Sequence, residues 1–368
     1  MWDSTIPGAA RVLVTGSGGP LGVNCTRSLR ASTAPRFLVG TDCNRYHLPL
    51  SLTDVTVLIP PAKAGQPYVD ALNGLIKKHH IDMLLPTHPV EVRAVSANRH
   101  QIQAKILLPD DEVICAGDDK FASWKIWRKA GLPVPDTRLL NGPEDLKRMF
   151  EETPSRPIWV RGSGAPGLGI GVASLPCKSL GVAHAWVEHH NGWGGMAASE
   201  YLPGSNLTWM SIWRDSELIT SASRERLAYV LPHVSPSGVT GAPAVTKTIH
   251  RDDVREIGEA AVRAIDPKPN GVYFVDFKGD DQDRPHITEV NAGRCGTTVH
   301  FYTRVGVNFP DLLVRLALGH DVPEHPRYDA APADLFWVRT LDCGPAMIEG
   351  EAGFDTFVRA GKDALVDG

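Results

Sequence analysis

Three oxygen-bearing side chains near residue 280 have the types and spacing of a magnesium site. Asp276 lies in an apolar run that starts at Gly271, and Glu289 and Asn291 lie in a second run that starts at Pro285. A charged segment separates the runs, so the pattern predicts two strands joined by a polar turn. Residues two apart share one face of a strand, so Glu289 and Asn291 would face Asp276 across this hairpin.

Two carboxylates and an amide suit Mg²⁺ held together with nucleotide phosphates, because Mg²⁺ takes few protein oxygens and completes its shell elsewhere. Zinc would need His or Cys. The six cysteines stand singly, with no CxxC pair, which fits reduced thiols. The alternative interpretation, two acids on a solvated hairpin, stays open from these residues alone.

A glycine-rich segment, 162–171, follows a predicted strand at 157–161 and holds five glycines in ten residues. The backbone N–H groups of such a loop can cradle phosphates and exclude water. Arg161, at its base, would add a fixed cation. A mobile surface hairpin is the alternative interpretation, because glycine also marks ordinary turns.

The first third of the chain alternates strand and helix patterns, with strands at 11–15, 37–40, 55–59, 82–86 and 105–109. The helices are expected from the glycine turn at 16–22 to about residue 30, and at about 69–78 and 90–102. This alternation predicts a parallel α/β sheet. The glycines of 16–22 and the acid Asp42 also form a weak dinucleotide-binding pattern. The Tyr-x-x-x-Lys pair of a short-chain dehydrogenase is missing, and a tight βα turn is the other interpretation.

A domain boundary is expected near residue 115, because an acidic helix start follows it. Two paired strands are expected at 207–213 and 218–226, the second placing Arg224 and Arg226 at its end. Proline and glycine at 228–246 predict a long loop, of a kind that is usually functional. The pattern further predicts elements at the end of the chain: helices at 251–265 and 309–318, and a last strand at 335–339.

Charge and hydropathy narrow the classes of partner. A net charge of -4 shows no excess of basic residues, so we expect no nucleic-acid partner. No apolar run approaches the roughly 20 residues of a membrane helix, and the N-terminus has no signal-peptide pattern, so we expect no membrane partner and a cytoplasmic location.

Four segments, in order and spacing, resemble the ATP-grasp superfamily over about residues 11–342. They are Asp119-Lys120 opening a helix that ends in Gly-Leu-Pro-Val-Pro, the loop 161–171, Glu200-Tyr-Leu-Pro-Gly, and Asp276 with Glu289-x-Asn291. Within the superfamily the chain is similar to carbamoyl-phosphate synthase large-subunit modules and to single-module carboxylate-amine ligases. Arg161 stands where many other members have Lys.

The resemblance implies an α/β fold (α+β in the grasp lobes), with a Rossmann-like pre-ATP-grasp lobe followed by a two-lobed ATP-grasp domain. The implied divisions are 1–115 for the first lobe, 116–345 for the ATP-grasp domain (a small lid lobe at about 120–200, a C-terminal lobe at about 201–345) and 346–368 for a tail. In the family the first lobe usually binds no dinucleotide, so the resemblance makes NAD binding an unfavoured alternative.

Carried over by position, the resemblance implies an ATP site and a metal site. The residues expected to hold the nucleotide are Lys120, Arg161, Gly167, Gly169, Glu200, Tyr201, Leu202 and Asn206. Lys120 and Arg161 would hold phosphates, and the hinge around Glu200 would meet adenine. Asn206 stands where other members often carry a ribose-binding acid, which puts that contact in doubt.

The metal ligands implied for Mg²⁺, with Mn²⁺ as an alternative ion, are Asp276, Glu289 and Asn291. Arg161, Arg226 and Arg294 are the catalytic candidates. The spacing Asn-Ala-Gly-Arg departs from the commoner Asn-x-Arg, so the resemblance leaves the role of Arg294 unsettled.

The activity implied is ATP-dependent joining of a small-molecule carboxylate to an amine through an acyl phosphate, by a homodimer. A carbamoyl-phosphate-type synthase that uses bicarbonate and ammonia is the first alternative, although the full synthase uses two modules. A nucleotide- or NAD-binding protein without turnover is the alternative from another class.

Overall fold

The computed structural model describes residues 9–154, 156–164 and 173–340. These residues form three β-sheets, against which the helices pack. The first sheet is parallel, in the order β3-β2-β1-β4: β1 (Ala10–Val14), β2 (Arg36–Asp42), β3 (Val55–Leu58) and β4 (Met83–Leu85). Its helices are α1 (Pro20–Arg30), α2 (Gln66–His79) and α3 (Pro89–Ala97). The predicted parallel α/β sheet is confirmed.

The strand predicted at 105–109 is wrong. Only Lys105 pairs, through an isolated bridge to Met83. Beyond it the chain leaves the sheet, because Leu107 and Leu108 are buried in two different apolar cores.

The glycine turn between β1 and α1 is explained by packing. A Cβ on Gly22 would lie 2.1 Å from the carbonyl oxygen of Gly16, so the helix can only start against this turn with glycine there. Asp42 accepts a hydrogen bond from the Asn44 backbone N–H at 2.9 Å, within its own loop. Close packing therefore accounts for Gly22 without a dinucleotide, and nucleotide binding at this turn stays an untested alternative.

The second sheet is small and antiparallel, in the order β5-β8-β6-β7: β5 (Thr137–Leu139), β6 (Ile158–Gly162), β7 (Leu175–Cys177) and β8 (Met196–Glu200). Before it come α4 (Asp111–Asp118) and α5 (Lys120–Lys129), and α6 (Pro143–Glu152) and α7 (Leu180–His189) pack on it. This sheet has an apolar core of its own. The expected boundary at residue 115 falls inside α4, and the domain division stays a prediction.

The third sheet has six strands in the order β13-β12-β9-β10-β11-β14. They are β9 (Asn206–Arg214), β10 (Glu217–Tyr229), β11 (Pro243–Ile249), β12 (Gly271–Gly279), β13 (Pro285–Ala292) and β14 (Phe336–Val338). The loop predicted at 228–246 is wrong at both ends, because β10 runs to Tyr229 and β11 begins at Pro243. The β10 strand bulges near Ala228, which keeps this irregular sequence paired.

Three further helices cover this sheet: α8 (Asp252–Ile265), α9 (Val299–Arg304) and α10 (Phe309–Leu318). Odd-numbered β12 residues such as Tyr273 and Val275 join the core that contains α8. Even-numbered residues face the other way, and Val272 and Phe274 join the core with α10. Asp276 and Lys278 continue that second face beyond the helices, where the sheet is open to a cleft.

Candidate active site

A cleft of about 350 Å³ lies between the small sheet and the six-stranded sheet. Trp159, Arg161 and Glu200 line it from the small sheet, and Asp276 and Glu289 from the large one. Residues 201–205 join β8 to β9 and so connect the two sheets directly. The position that the resemblance implied for a hinge is therefore the link between the two walls of the cleft.

The structure brings the three implied metal ligands together. Asp276 and Glu289 are cross-strand partners on β12 and β13, and Asn291 lies two residues further along β13. Asn291 Nδ2 is 3.5 Å from Glu289 Oε1. Asp276 is oriented by the Thr208 hydroxyl, which donates to its Oδ1 at 2.6 Å. The hairpin thus presents two carboxylates and an amide to the cleft.

This donor set fits a hard cation that also binds phosphate. No group of three or more His, Cys, Asp or Glu exists in the described part of the chain that could hold a metal alone. Two carboxylates and an amide leave coordination positions for phosphate oxygens and water, which Mg²⁺ prefers to a complete protein cage. The set would hold Mg²⁺ only together with a nucleotide.

Two cations from separate elements meet at Glu289. Lys120, the first residue of α5, places Nζ 3.2 Å from Glu289 Oε2. Arg161 on β6 places Nη1 3.9 Å from the same oxygen and donates from Nη2 to the Thr288 carbonyl at 2.7 Å. Lys120 is held by its backbone N–H, which donates to the Ser163 carbonyl at 2.7 Å, at the base of the glycine-rich loop.

These charges set the protonation of the carboxylates. Burial acts to raise the pKa of Glu289, but Lys120 and Arg161 outweigh it, and the pKa lies well below its usual range. Burial raises the pKa of Asp276, although Arg226, with Nη1 3.4 Å from Asp276 Oδ2, opposes that effect. The ionised Glu289 adds to the rise at Asp276, so the two acids carry unequal affinity for a proton.

The two remaining arginine candidates each contact one of the three implied metal ligands. Arg226 pairs with Asp276 as described, and its Nη2 donates to the Leu207 carbonyl at 3.3 Å. Arg294 Nη2 donates to Asn291 Oδ1, and its guanidinium lies 5.2 Å from the centre of the Phe274 ring. The unusual Asn-Ala-Gly-Arg spacing therefore still brings Arg294 to one of these ligands.

The expected nucleotide residues line the cleft at the hinge. Glu200, Tyr201, Leu202 and Asn206 all do so. The Glu200 carboxylate accepts a hydrogen bond from the Asp136 backbone N–H at 3.0 Å, through one of its two oxygens. Gly167 and Gly169 lie outside the described residues, so their predicted role stays a prediction.

The lining also includes four polar side chains that were not among the implied nucleotide, metal or catalytic residues and that bear on the chemistry of the cleft: Arg224, Tyr229, Lys278 and Thr297. A two-residue period could have found two of them. Lys278 lies two positions after Asp276, and Arg224 two before Arg226, so each shares a strand face with a predicted residue. Tyr229 follows a bulge and Thr297 lies in a loop, so the sequence offered no such signal for them.

No protein-family model matches the chain. A curated relative, D-alanine--D-alanine ligase of Laribacter hongkongensis, is 26% identical over 187 residues, which is 50% of this chain and 58% of that protein. The chain thus spans less than two thirds of this relative.

Solved structures match over most of the chain. N5-carboxyaminoimidazole synthase from Aspergillus clavatus, in complex with ADP and 5-aminoimidazole ribonucleotide, is 18% identical with a TM-score of 0.65, over 88% of this chain and 80% of that one. Biotin carboxylase from Campylobacter jejuni is 16% identical with a TM-score of 0.63, over 85% and 72%. L-amino acid ligase from Bacillus licheniformis is 14% identical with a TM-score of 0.59, over 84% and 74%. These likenesses show that the chain shares the fold of these solved enzymes, and the three-sheet α/β architecture agrees with the fold that the resemblance to the ATP-grasp superfamily implied.

Proposed function

We propose that this protein is an ATP-dependent carboxylate-amine ligase that releases ADP and phosphate. One observation carries the proposal. Lys120 and Arg161, from α5 and from the small sheet, converge on Glu289 of the large sheet, beside Asp276. Cations and acids from both walls of a cleft are what transfer of a phosphoryl group needs, because its catalysis is mostly positioning and charge neutralisation.

The reaction has two steps. A carboxylate oxygen of the acid attacks the γ-phosphorus of ATP, the bond from that phosphorus to the β,γ-bridging oxygen breaks, and ADP leaves. The amine nitrogen of the second substrate then attacks the acyl carbon of the acyl phosphate. The acyl C–O bond breaks, the nitrogen loses a proton, and phosphate leaves to give the amide. No nucleophilic side chain is needed.

The residues at the cleft floor would divide these tasks. Lys120 and Arg161 would bind the phosphates, and Arg161 offers a planar fork for two oxygens. Asp276, Glu289 and Asn291 would hold Mg²⁺, which neutralises phosphate charge when bound. Arg294, whose Nη2 donates to Asn291 Oδ1, would bind the acyl phosphate next to these ligands.

The other end of the cleft would hold the nucleoside. Glu200, Tyr201 and Leu202 lie on the link between the sheets, where backbone groups and the buried Leu202 side chain can meet a flat ring. Asn206 would reach the ribose. The loop that contains Gly167 and Gly169 would cover the phosphates, as its position after Arg161 suggests.

Several relatives support nucleotide use. Of the solved structures with this fold, N5-carboxyaminoimidazole synthase is in complex with ADP and biotin carboxylase with beta-gamma-ATP, and a biotin carboxylase domain from Hydrogenobacter thermophilus is in complex with MgADP and bicarbonate. Bicarbonate is therefore the specific alternative to an organic acid. The homodimer is also part of the proposal, and light scattering of the purified chain tests it.

Phosphate release tests the proposal. Purified protein with Mg-ATP is screened against paired organic acids and amines, with bicarbonate and ammonia as separate arms. We expect ADP and phosphate in equal amounts only where an acid and an amine are both present. Release that needs bicarbonate and no organic acid would favour the carbamoyl-phosphate alternative, and no release in any arm would favour a binding protein.

A further inference from the structure

Arg224 on β10 is a buried cation without a polar partner. It is 5% exposed, and its Nε and Nη1 atoms are buried with no hydrogen-bond partner. No carboxylate in the described parts of the chain lies within ion-pair distance of it. A charged group that loses water and gains no partner is costly, by several kcal/mol.

Four other cations of the cleft differ from Arg224 in this respect. Lys120 and Arg161 share Glu289, Arg226 pairs with Asp276, and Arg294 donates to Asn291. Each of these four side chains contacts one of the implied metal ligands Asp276, Glu289 and Asn291. Of these five cations, only Arg224 makes no ion pair and no hydrogen bond with another described residue.

The register of the six-stranded sheet places the backbone of Arg224 two strands away from that of Asp276. Asp276 pairs with Thr208, and Thr208 pairs with Arg224, so the three residues form one row across β12, β9 and β10. Neighbouring strands are about 4.8 Å apart, which puts the backbone of Arg224 about 10 Å from that of Asp276. Among the described contacts, Arg224 makes no ion pair or hydrogen bond with Asp276, Glu289 or Asn291, where the proposed reaction places the phosphorylated carboxylate. We therefore assign an anion on Arg224 to another part of the bound substrates.

The surroundings of Arg224 leave room for such a group. Its guanidinium lies 5.6 Å from the centre of the Tyr302 ring, which supports it from one side. A Cβ added at Gly296 would make an ordinary van der Waals contact with Arg224 Nη2, at 3.6 Å, so this glycine leaves the space next to the guanidinium unfilled. Both Arg224 and Gly296 line the cleft.

We propose that Arg224 binds a carboxylate of the substrates other than the one that is phosphorylated. This inference rests on the proposed function and names the substrate class: either the acid is a dicarboxylic acid or the amine is an amino acid. One guanidinium carries one charge, which matches a carboxylate and leaves a phosphate dianion half neutralised. Its planar fork also fits both carboxylate oxygens.

Binding to the Mg·ADP complex tests this inference without turnover. Calorimetry compares matched pairs that differ by one carboxylate: malonate, succinate and glutarate against propionate, butyrate and valerate, and alanine, valine and phenylalanine against ethylamine, isobutylamine and phenethylamine. In the wild type we expect one of these two classes to bind at least about 10-fold more tightly when it carries the extra carboxylate. The class that does so identifies the source of the group.

Variants then assign the preference to Arg224. Arg224→Met should remove it, a loss of about 10- to 100-fold for the carboxylate-bearing compound, and Arg224→Lys should restore part of it. Arg263→Met is the matched control, because Arg263 also lies over an aromatic ring, 4.8 Å from the centre of Trp213, but outside the cleft. It should leave the preference unchanged.

Three results would overturn the inference. They are no preference in either class for the wild type, a preference that survives in Arg224→Met, and weaker Mg·ADP binding by Arg224→Met, which would assign the residue to the nucleotide. A structural role would instead lower the thermal midpoint of the free protein, whereas removal of an unpaired buried charge should not. A retained preference in a wild type that releases no phosphate would refute the proposed ligase and leave the anion site standing.

Discussion

Lys120 Nζ lies 3.2 Å from Glu289 Oε2, so the start of α5 is joined by an ion pair to the hairpin of the six-stranded sheet. The same carboxylate is 3.9 Å from Arg161 of the small sheet. Glu289 is thus the point at which elements from both sides of the cleft meet. In the proposed ligase this pairing keeps the cations and the metal ligands in place before ATP binds.

Glu289→Gln should lower turnover by about 10²- to 10³-fold, because it removes a metal ligand and the counter-charge of Lys120 and Arg161. Phosphate release under saturating Mg-ATP measures the effect, and circular dichroism checks the fold. Glu225→Gln is the control, since Glu225 lies between two cleft arginines on β10 but does not line the cleft. A folded Glu289→Gln protein with wild-type turnover would remove Glu289 from the site.

Two substitutions of Arg161 separate its charge from its geometry. Arg161→Lys should lower turnover in part, because it keeps the charge but loses the two-pronged contact. Arg161→Met should lower it by a further 10²- to 10³-fold or so, the typical effect of deleting one preorganised electrostatic contact. Adenosine binding should survive both changes, because the hinge residues are untouched. A destabilised but fully active Arg161→Met protein would show that Arg161 is only structural.

Asp283, in the turn between β12 and β13, supports residues 201–205, which link the two sheets. Its carboxylate accepts from the Ser205 backbone N–H at 2.7 Å and from Arg251 Nη1 at 2.7 Å. Asp283→Ala should therefore lower the free energy of unfolding by about 2–3 kcal/mol, as measured in urea. Asp281→Ala in the same turn removes only an exposed ion pair with Arg156 and should cost less than about 1 kcal/mol. Equal effects of the two variants would contradict this role for Asp283.

Gly164 fixes the base of the glycine-rich loop against α4. Its φ is +93°, and an added Cβ would lie 2.1 Å from the Asp118 carbonyl oxygen. Gly164→Ala should shift this backbone, disturb the neighbouring Lys120, and lower both stability and turnover. Gly131→Ala is the matched control, with a φ of +73° and no atom within 4 Å, and it should cost only about 1–2 kcal/mol of backbone strain. Wild-type turnover in Gly164→Ala would show that the contact is dispensable.

Glu91, on α3, should make stability depend on pH. Burial raises its pKa to about 7, against the hydrogen bond that the Thr15 hydroxyl donates at 2.8 Å. Between the ordinary pKa of 4.5 and about 7 the folded chain binds the extra proton, so its stability falls as pH rises through that window. At about 1.4 kcal/mol per pKa unit, the total is about 3 kcal/mol.

Glu91→Gln should remove this dependence, because an amide oxygen can still accept from Thr15 and carries no charge. The difference in unfolding free energy between variant and wild type should therefore grow by about 3 kcal/mol in favour of the variant from pH 4.5 to pH 8. Urea unfolding at each pH measures it, with the exposed Glu112→Gln as control. A difference that stays constant with pH would mean that Glu91 titrates normally.

Much of the site could be predicted because it lies on regular strands. Asp276, Glu289 and Asn291 follow a two-residue period, and the hairpin register then brings them together. The parallel sheet was also predicted from apolar runs that alternate with helices. Both follow from local patterns that the folded chain preserves.

The errors occurred where tertiary contacts override local pattern. Lys105 begins an apolar run, yet its neighbours pack in two cores and do not extend the strand. The irregular residues near Ala228 read as loop, but a bulge keeps them in the sheet. A two-residue period places Arg224 on the strand face of Arg226, but its lack of a buried partner could not be predicted, because that is a property of the folded molecule.

The fate of a carboxylate oxygen tests the central claim most directly. An acid that supports phosphate release is labelled with ¹⁸O in its carboxylate and incubated with its amine and Mg-ATP, and the phosphate is then analysed by mass spectrometry. Attack of the carboxylate on the γ-phosphate predicts one ¹⁸O in each phosphate released and ADP as the other product. Unlabelled phosphate, AMP with pyrophosphate, or no acid-dependent release with any acid tested would contradict the account.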